Sequence, residues 1–239
     1  MQDLFISIVT FNRSHIAIKS ISDLLNKNKY NLPVLVQDDC STEVEIKRFL
    51  TTHDAASNID GLRSNEKNIG CDANNITRLD ILKEIGSNTE NFAANTFVYL
   101  TDDDMLYSNS FGIALQRMLA IMQNDSDILA GTLFNVKQHP VIKDYAYSGV
   151  LQHYVVKQSF GGCSVLIRVQ DFLDAMSFYQ SSEYKNFGGL IGWDWGLCTY
   201  ARKTKRMLIS TNNSYVQHTG ITGVNSTPHK FDCAENFVI

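Results

Sequence analysis

Apolar and polar positions follow two rhythms along the first half of the chain. Leu4 to Thr10 is a short apolar run rich in β-branched residues, closed by Asn12-Arg13-Ser14, and predicts a buried strand. Ile16, Ile18, Ile21, Leu24 and Leu25 then recur at helical spacing, which predicts a helix from about Ser14 to Asn28, broken by Asn31-Leu32-Pro33. Val34-Leu35-Val36 predicts a second strand that runs into Gln37-Asp38-Asp39. A short helix around Thr42 to His53, a weak strand at Gly61 to Ser64 and a helix from about Asp72 to Ile85 follow. Thr96 to Leu100 is the clearest strand of the middle region and leads straight into Asp102-Asp103-Asp104. A helix near Phe111 to Gln123 and a strand at Ile128 to Leu133 complete the series.

Beyond Phe134 the rhythm changes. His139 to Lys157 reads as an irregular insertion or hairpin, and Cys163 to Arg168 as another strand. Gln170 to Tyr179 and Trp193 to Lys203 read as helices, with short strands near Met207 to Ser210 and Ser214 to His218. Repeated strand–helix alternation with short connections predicts an α/β fold, a mostly parallel central sheet covered by helices. No repeat, low-complexity block or linker divides the 239 residues, so a single Rossmann-like domain over 1–239 is expected. Its nucleotide-binding half is 1–104 and its acceptor-binding, catalytic half 105–239.

Composition changes this picture little. Hydrophobic residues at 44% and charged residues at 19% suit a globular protein with a real core. A formal charge of -4 gives no general attraction to nucleic acid or anionic lipid. The 5 cysteines are scattered without zinc-site spacing, which fits reduced thiols in the cytosol. No stretch approaches the roughly 18 apolar residues of a membrane span. The expectation is a cytoplasmic protein without an integral membrane segment, at most peripheral at the inner face of the membrane.

Ligands of open parallel sheets bind beyond the carboxyl ends of the strands. Thr10-Phe11-Asn12-Arg13, Asp38-Asp39 and Asp102-Asp103-Asp104 all fall at such ends. Aspartates also end strands as turn formers and helix caps, so one such cluster alone decides nothing. Consecutive carboxylates repel and raise one another's pKa unless a cation or donors offset them. Hard divalent ions suit such oxygens and share coordination with substrate phosphates, which points to a metal–diphosphate site.

The motifs carry a resemblance. Ile6 to Arg13 resembles the opening strand of GT-A glycosyltransferases, above all the large inverting family of bacterial polysaccharide enzymes. Gln37-Asp38-Asp39-Cys40-Ser41-Thr42 is similar to that family's Asp-Asp-x-Ser-Thr turn, and Tyr99 to Asp104 to its DxD metal motif. Phe160-Gly161-Gly162-Cys163-Ser164-Val165-Leu166 resembles a strand of animal β-1,4-galactosyltransferases. Gly192-Trp193-Asp194-Trp195-Gly196-Leu197 is similar to the acceptor-site segment that carries the catalytic base in both groups. Val216-Gln217-His218-Thr219-Gly220 resembles a late segment whose histidine completes the metal shell. These elements stand in family order from Leu4 to Gly220.

The resemblance implies a metal-dependent, inverting transfer of one sugar from a nucleotide-sugar, a UDP-sugar first, to a hydroxyl of a glycan or glycolipid acceptor. Asp39 would accept a hydrogen bond from the base, Thr10 and Asn12 would shape the nucleotide pocket, and Asp102 and Asp103 would lie against the donor. Asp104 and His218 would ligate Mn2+ or Mg2+, and Asp194 would be the base. Gly161 and Gly162 would let the donor approach the backbone, and Trp193 and Trp195 would stack on a sugar face. Each residue has a plainer reading: a carbonyl-bonded histidine for His218, a helix cap for Asp194, a core position for at least one tryptophan. Arg13, Lys67 and Arg78 are candidates for phosphate contact whose plainer reading is solvated surface, and His15, His53, His139, His153 and His229 show no compelling spacing. The family's usual Glu-Asp pair is absent at Asp194, and Tyr215 stands where the galactosyltransferases have a methionine, so donor preference does not carry over. The chain also ends soon after the histidine segment, which favours single-sugar transfer over processive synthesis. Three alternatives stay open: an inactive GT-A-like binding or assembly module, a nucleotidyltransferase of related topology, and glycosylation of modified nucleic-acid bases. The nucleotidyltransferases open with a glycine-rich basic loop that Thr10 to Ser14 does not match, and net charge does not favour nucleic acid.

Overall fold

A computed structural model of the chain describes residues 4–52, 58–81, 93–146, 154–187, 189–220 and 232–239. The apolar runs become strands β1 (Leu4–Thr10), β2 (Val34–Asp38), β3 (Gly61–Ser64), β4 (Phe97–Asp102), β5 (Met105–Tyr107) and β6 (Ile128–Thr132). The second half adds β7 (Val141–Tyr145), β8 (Tyr154–Lys157), β9 (Ser164–Arg168), β10 (Met207–Thr211) and β11 (Val216–His218). The helices are α1 (Ser14–Lys27), α2 (Val44–Thr51), α3 (Cys71–Thr77) and α4 (Phe111–Asn124). After them come α5 (Val169–Gln180), α6 (Ser182–Asn186) and α7 (Trp193–Thr204).

A nine-stranded sheet is ordered β3-β2-β1-β4-β9-β6-β10-β8-β7. Pairing directions run β1, β2, β3, β4, β6, β7 and β10 one way and β8 and β9 the other. The sheet is therefore mostly parallel by strand direction, with β9 wedged antiparallel between β4 and β6. Residues 139–157, read as an insertion or hairpin, contribute the antiparallel pair β7 and β8 at one edge. The helix expected over 72–85 is described as α3, ending at Thr77, while 82–85 lie outside the described residues, as do His53, His153 and His229.

Central strands alternate their side chains between two cores. Leu4, Ile6, Ile8, Phe97 and Tyr99 face a cluster completed by α1, α2 and α4. Phe5, Val98 and Leu100 face a second cluster with Phe172 and Met176 of α5 and Leu197 of α7. Burial on both sides explains why β1 and β4 read as continuous apolar runs. Among the described residues no helix is long and apolar enough to cross a membrane.

Candidate active site

The carboxyl ends of β1, β2 and β4 bring the predicted polar residues to one edge. Asp102 closes β4, a tight turn carries Asp103 and Asp104, and Met105 opens β5. β11 pairs antiparallel with β5, setting His218 opposite Met105 and so beside Asp104. The Thr219 amide and hydroxyl both donate to the Asp104 carbonyl at 2.7 Å, which ties the two loops together. His218 Nε2 stands 3.2 Å from Asp104 Oδ2. A Cβ on Gly220 would lie 2.2 Å from that same oxygen, so only glycine leaves the carboxylate free.

Two arginines that read as surface in the sequence belong to this cluster. The side chain of Arg13 is 33% exposed, and its NH2 lies 2.6 Å from Asp103 Oδ1 and its NH1 3.0 Å from Asp104 Oδ2. Arg78 is fully buried, donating to the Ser7 carbonyl, to Ser7 Oγ at 3.1 Å, to the Thr101 carbonyl at 2.8 Å and to Asn75 Oδ1 at 2.8 Å. Lys67 is exposed. Burial lowers Arg78 to about 10, against the pull of Asp102. Their signal was legible only as a question: three adjacent aspartates require nearby positive charge, but the sequence does not say from where.

Burial dominates the carboxyl titrations. It pushes Asp102 up to about 7, reinforced by the charge of Asp104 and opposed by Arg78. It pushes Asp103 up to about 6, opposed by Arg13. Burial also works against Asp104, yet the hydrogen bond and charge of His218, then Arg13, hold its carboxyl below the usual range. For His218 the burial penalty is outweighed by Asp104, and the imidazole is raised.

Several expected contact residues have their polar atoms engaged within the protein. Thr10 Oγ1 donates to Asp103 Oδ2 at 2.6 Å, and the Phe11 amide adds a bond of 3.3 Å. Asn12 Oδ1 accepts from the Thr42 amide at 2.7 Å and the Glu43 amide at 3.1 Å. Glu43 in turn accepts from the Arg13 amide at 3.0 Å and from the Ser14 amide at 2.7 Å. These bonds hold Asn12 and Arg13 in left-handed backbone, each at φ 52°, a conformation that non-glycine residues adopt at a cost. Asp39 accepts from the Ile69 amide at 2.8 Å, the Gly70 amide at 2.9 Å and Asn65 Nδ2 at 2.9 Å. Of the about four acceptor positions on a carboxylate, one remains.

Asp194 lies in the first turn of α7, its Oδ1 accepting from the Trp195 amide at 2.9 Å. Burial raises its pKa, while the amides of Trp195, Asp194 and Gly162 pull the other way. Asp72, which the sequence did not single out, accepts from the Trp193 amide at 3.0 Å and from Tyr179 Oη at 3.0 Å, fixing the start of α7. The structure buries Trp193 in the core, edge-on to Phe172 with centroids 6.0 Å apart, and leaves Trp195 half-buried. A Cβ on Gly162 would meet the Trp193 ring at 2.4 Å, whereas one on Gly161 would approach nothing closer than His139 Nε2 at 3.7 Å. Gly162 is therefore bound to helix packing and Gly161 borders open space. Cys163 connects the two ends of the site: burial, then the charges of Asp102, Asp104, Asp232 and Asp194, push its thiol well up.

Among the described residues no three His, Cys, Asp or Glu side chains gather as a ready-made metal site. A Mg2+-type ion often takes only one or two protein ligands and completes its shell with phosphates and water. The donor set fits that requirement. Asp104 Oδ1 is buried without a hydrogen-bond partner among the described residues, and Asp102 Oδ1 likewise.

No protein-family model matches the sequence, and no curated protein sequence matches it. Solved structures do. S. aureus TarS 1-349 in complex with UDP-GlcNAc superposes with a TM-score of 0.56 and 16% identity, over 93% of this chain and 62% of that one. GalNAc-T7 with UDP, GalNAc and Mn2+ gives 0.59 at 10% identity, over 98% of this chain and 45% of that one. The mannosyltransferase PcManGT from Pyrobaculum calidifontis, in complex with GDP-Man and Mn2+, gives 0.51 at 13%, over 87% and 54%. A putative glucose-1-phosphate thymidylyltransferase from Bacillus anthracis gives 0.54 at 10%, over 91% and 90%. The fold is the GT-A fold of the nucleotide-sugar glycosyltransferases. At these identities the likeness is one of fold, and the chain spans about three fifths of TarS 1-349 (62%).

Proposed function

We propose that this protein is a metal-dependent glycosyltransferase that moves a sugar from a nucleoside diphosphate sugar, a UDP-sugar first, to an acceptor hydroxyl. The observation that carries this is the pairing of Asp104 with His218, 3.2 Å apart beneath Gly220, with Asp104 Oδ1 unpartnered among the described residues. Asp104 and His218 would hold Mn2+ or Mg2+, which would supply a Lewis acid for the negative charge of the leaving diphosphate. The loop from Phe11 to Ser14 and the Asp39 turn form the base and ribose side of the donor pocket. The open backbone at Gly161 faces the donor sugar. Asp194 takes the acceptor proton as the acceptor oxygen attacks the anomeric carbon and the bond to the diphosphate oxygen breaks, with inversion. Its burial makes it a stronger base than an exposed aspartate. A glycan or glycolipid is the acceptor class, and Trp195 offers a face for its sugar.

The superposed TarS, PcManGT and GalNAc-T7, solved with UDP-GlcNAc, with GDP-Man and Mn2+, and with UDP, GalNAc and Mn2+, lend this support. The thymidylyltransferase likeness favours a second reading, transfer of a nucleotidyl group to a sugar phosphate. The β1–α1 loop speaks against it, since it lacks glycine and its arginine faces carboxylates.

Calorimetric titration of UDP and UDP-sugars, with and without Mn2+, tests the proposal. Binding is expected to require the metal and to be lost in Asp104→Ala. Asp194→Asn is expected to keep that binding while kcat falls by about 10²–10⁴-fold. Release of pyrophosphate from a nucleoside triphosphate and a sugar phosphate would establish the second reading instead.

A further inference from the structure

Among the described residues three cationic or potentially cationic groups face the aspartate cluster, and they differ in their freedom to leave. Arg78 is fully buried and anchored to β1, β4 and α3. The His218 side chain is 15% exposed and fixed by the β5–β11 pairing. Arg13 is 33% exposed, and among the described residues its guanidinium bonds Asp103 and Asp104 alone. Its NH1 shares Asp104 Oδ2 with His218 Nε2, at 3.0 Å and 3.2 Å. When Arg13 withdraws, Asp103 keeps Thr10 Oγ1 and the Phe11 amide on its other oxygen. Asp104 keeps His218 Nε2 on Oδ2, while its Oδ1 has no partner among the described residues, so a cation that enters there meets an open carboxylate oxygen and restores the positive charge that both aspartates lose with Arg13.

We propose that Arg13 is a built-in counterion that fills the metal seat until a divalent cation displaces it, so that cation and nucleoside diphosphate enter as a coupled pair. This rests on the reading of Asp104 and His218 as a metal seat. A cation arriving alone must break two charge-assisted bonds and leave a guanidinium near itself without a partner. A diphosphate arriving with it gives the freed guanidinium a forked anion to bind. The apparent affinity for metal alone is lowered by the fraction of chains with Arg13 withdrawn, and the second ligand removes that penalty.

Mn2+ binding read by the electron paramagnetic resonance signal of the free ion, with and without UDP, tests this without turnover. Arg13→Gln is expected to bind Mn2+ alone about tenfold more tightly than wild type. In that variant UDP is expected to improve Mn2+ affinity less than it does in wild type. Arg13→Lys keeps the charge but loses the fork that bridges Asp103 and Asp104, and is expected to bind Mn2+ with an affinity between those of wild type and Arg13→Gln. If Arg13→Gln does not unfold cooperatively, Arg13→Met serves in the same comparison. A folded neutral variant that binds Mn2+ no more tightly than wild type, while wild type still binds Mn2+ with UDP, overturns the role of Arg13 alone. Absence of Mn2+ binding in every chain, with or without UDP, overturns the metal seat and the Arg13 role together.

Discussion

His139 places a titratable ring on the rim of the site, with Nδ1 2.8 Å from Ser159 Oγ and its ring 6.5 Å from that of Trp195. Burial lowers its pKa from 6.5, opposed by Asp232 and aided by Lys157. The unfolded chain therefore takes up a proton at its imidazole before the folded one does. As pH falls through 6.5, this group makes the fold less stable, and the loss levels off once the folded imidazole also titrates. The melting temperature of His139→Gln relative to wild type is expected to be more favourable at about pH 5 than at about pH 7.5, measured by thermal unfolding across pH. At the same scale, the buried aspartates were legible as a motif, but their partners were not. Glu43 holds the Arg13 and Ser14 amides from 29 and 30 residues away, and Arg78 reaches Ser7 across 71 residues. Such bonds join unlike segments to backbone atoms, and no local pattern announces them.

Among the elements, the link between the Phe160–Ser164 segment and α7 governs where Asp194 stands. Gly162 packs under Trp193, the first residue of α7 and the neighbour of Asp194. Gly162→Ala puts a methyl carbon 2.4 Å from the Trp193 ring, which is buried and packs edge-on against Phe172, so the indole must shift within the core. The substitution is expected to cost about 1–3 kcal/mol, visible as a lower urea midpoint with an unchanged slope. The long elements were legible because apolar runs and helical periods extend over many residues, as in β1, β4 and α4. β5 has 3 residues, too few for a period to register, and the strand expected near Ser214 to His218 carries no sign of its partner, yet the pairing of β5 with β11 sets His218 beside Asp104. The two tryptophans show the same limit, since spacing alone could not assign one to the core and one to the rim.

Across the whole molecule, β9 joins what the chain order keeps apart. β4 and β6 both precede β9 in the chain, yet each pairs with β9 and not with the other. A chain ending at Thr132 has both strands but lacks the one that bridges them. Such a fragment is expected to show no cooperative melt and no fixed aromatic environment by near-ultraviolet circular dichroism, whereas the full chain shows both. Parallel strand order was foreseeable from alternation of strands and helices, but a late strand inserted antiparallel leaves no mark in local periodicity.

This late insertion also shapes how the protein is made. During synthesis β4 remains unpaired on one side until Arg168 has left the ribosome, and β6 remains unpaired on both, since its other neighbour, β10, comes later still. Unpaired edges of this kind recruit other strands. The interval between translating Asp102 and Arg168 is thus the period when a nascent chain most needs a chaperone or a slow neighbour.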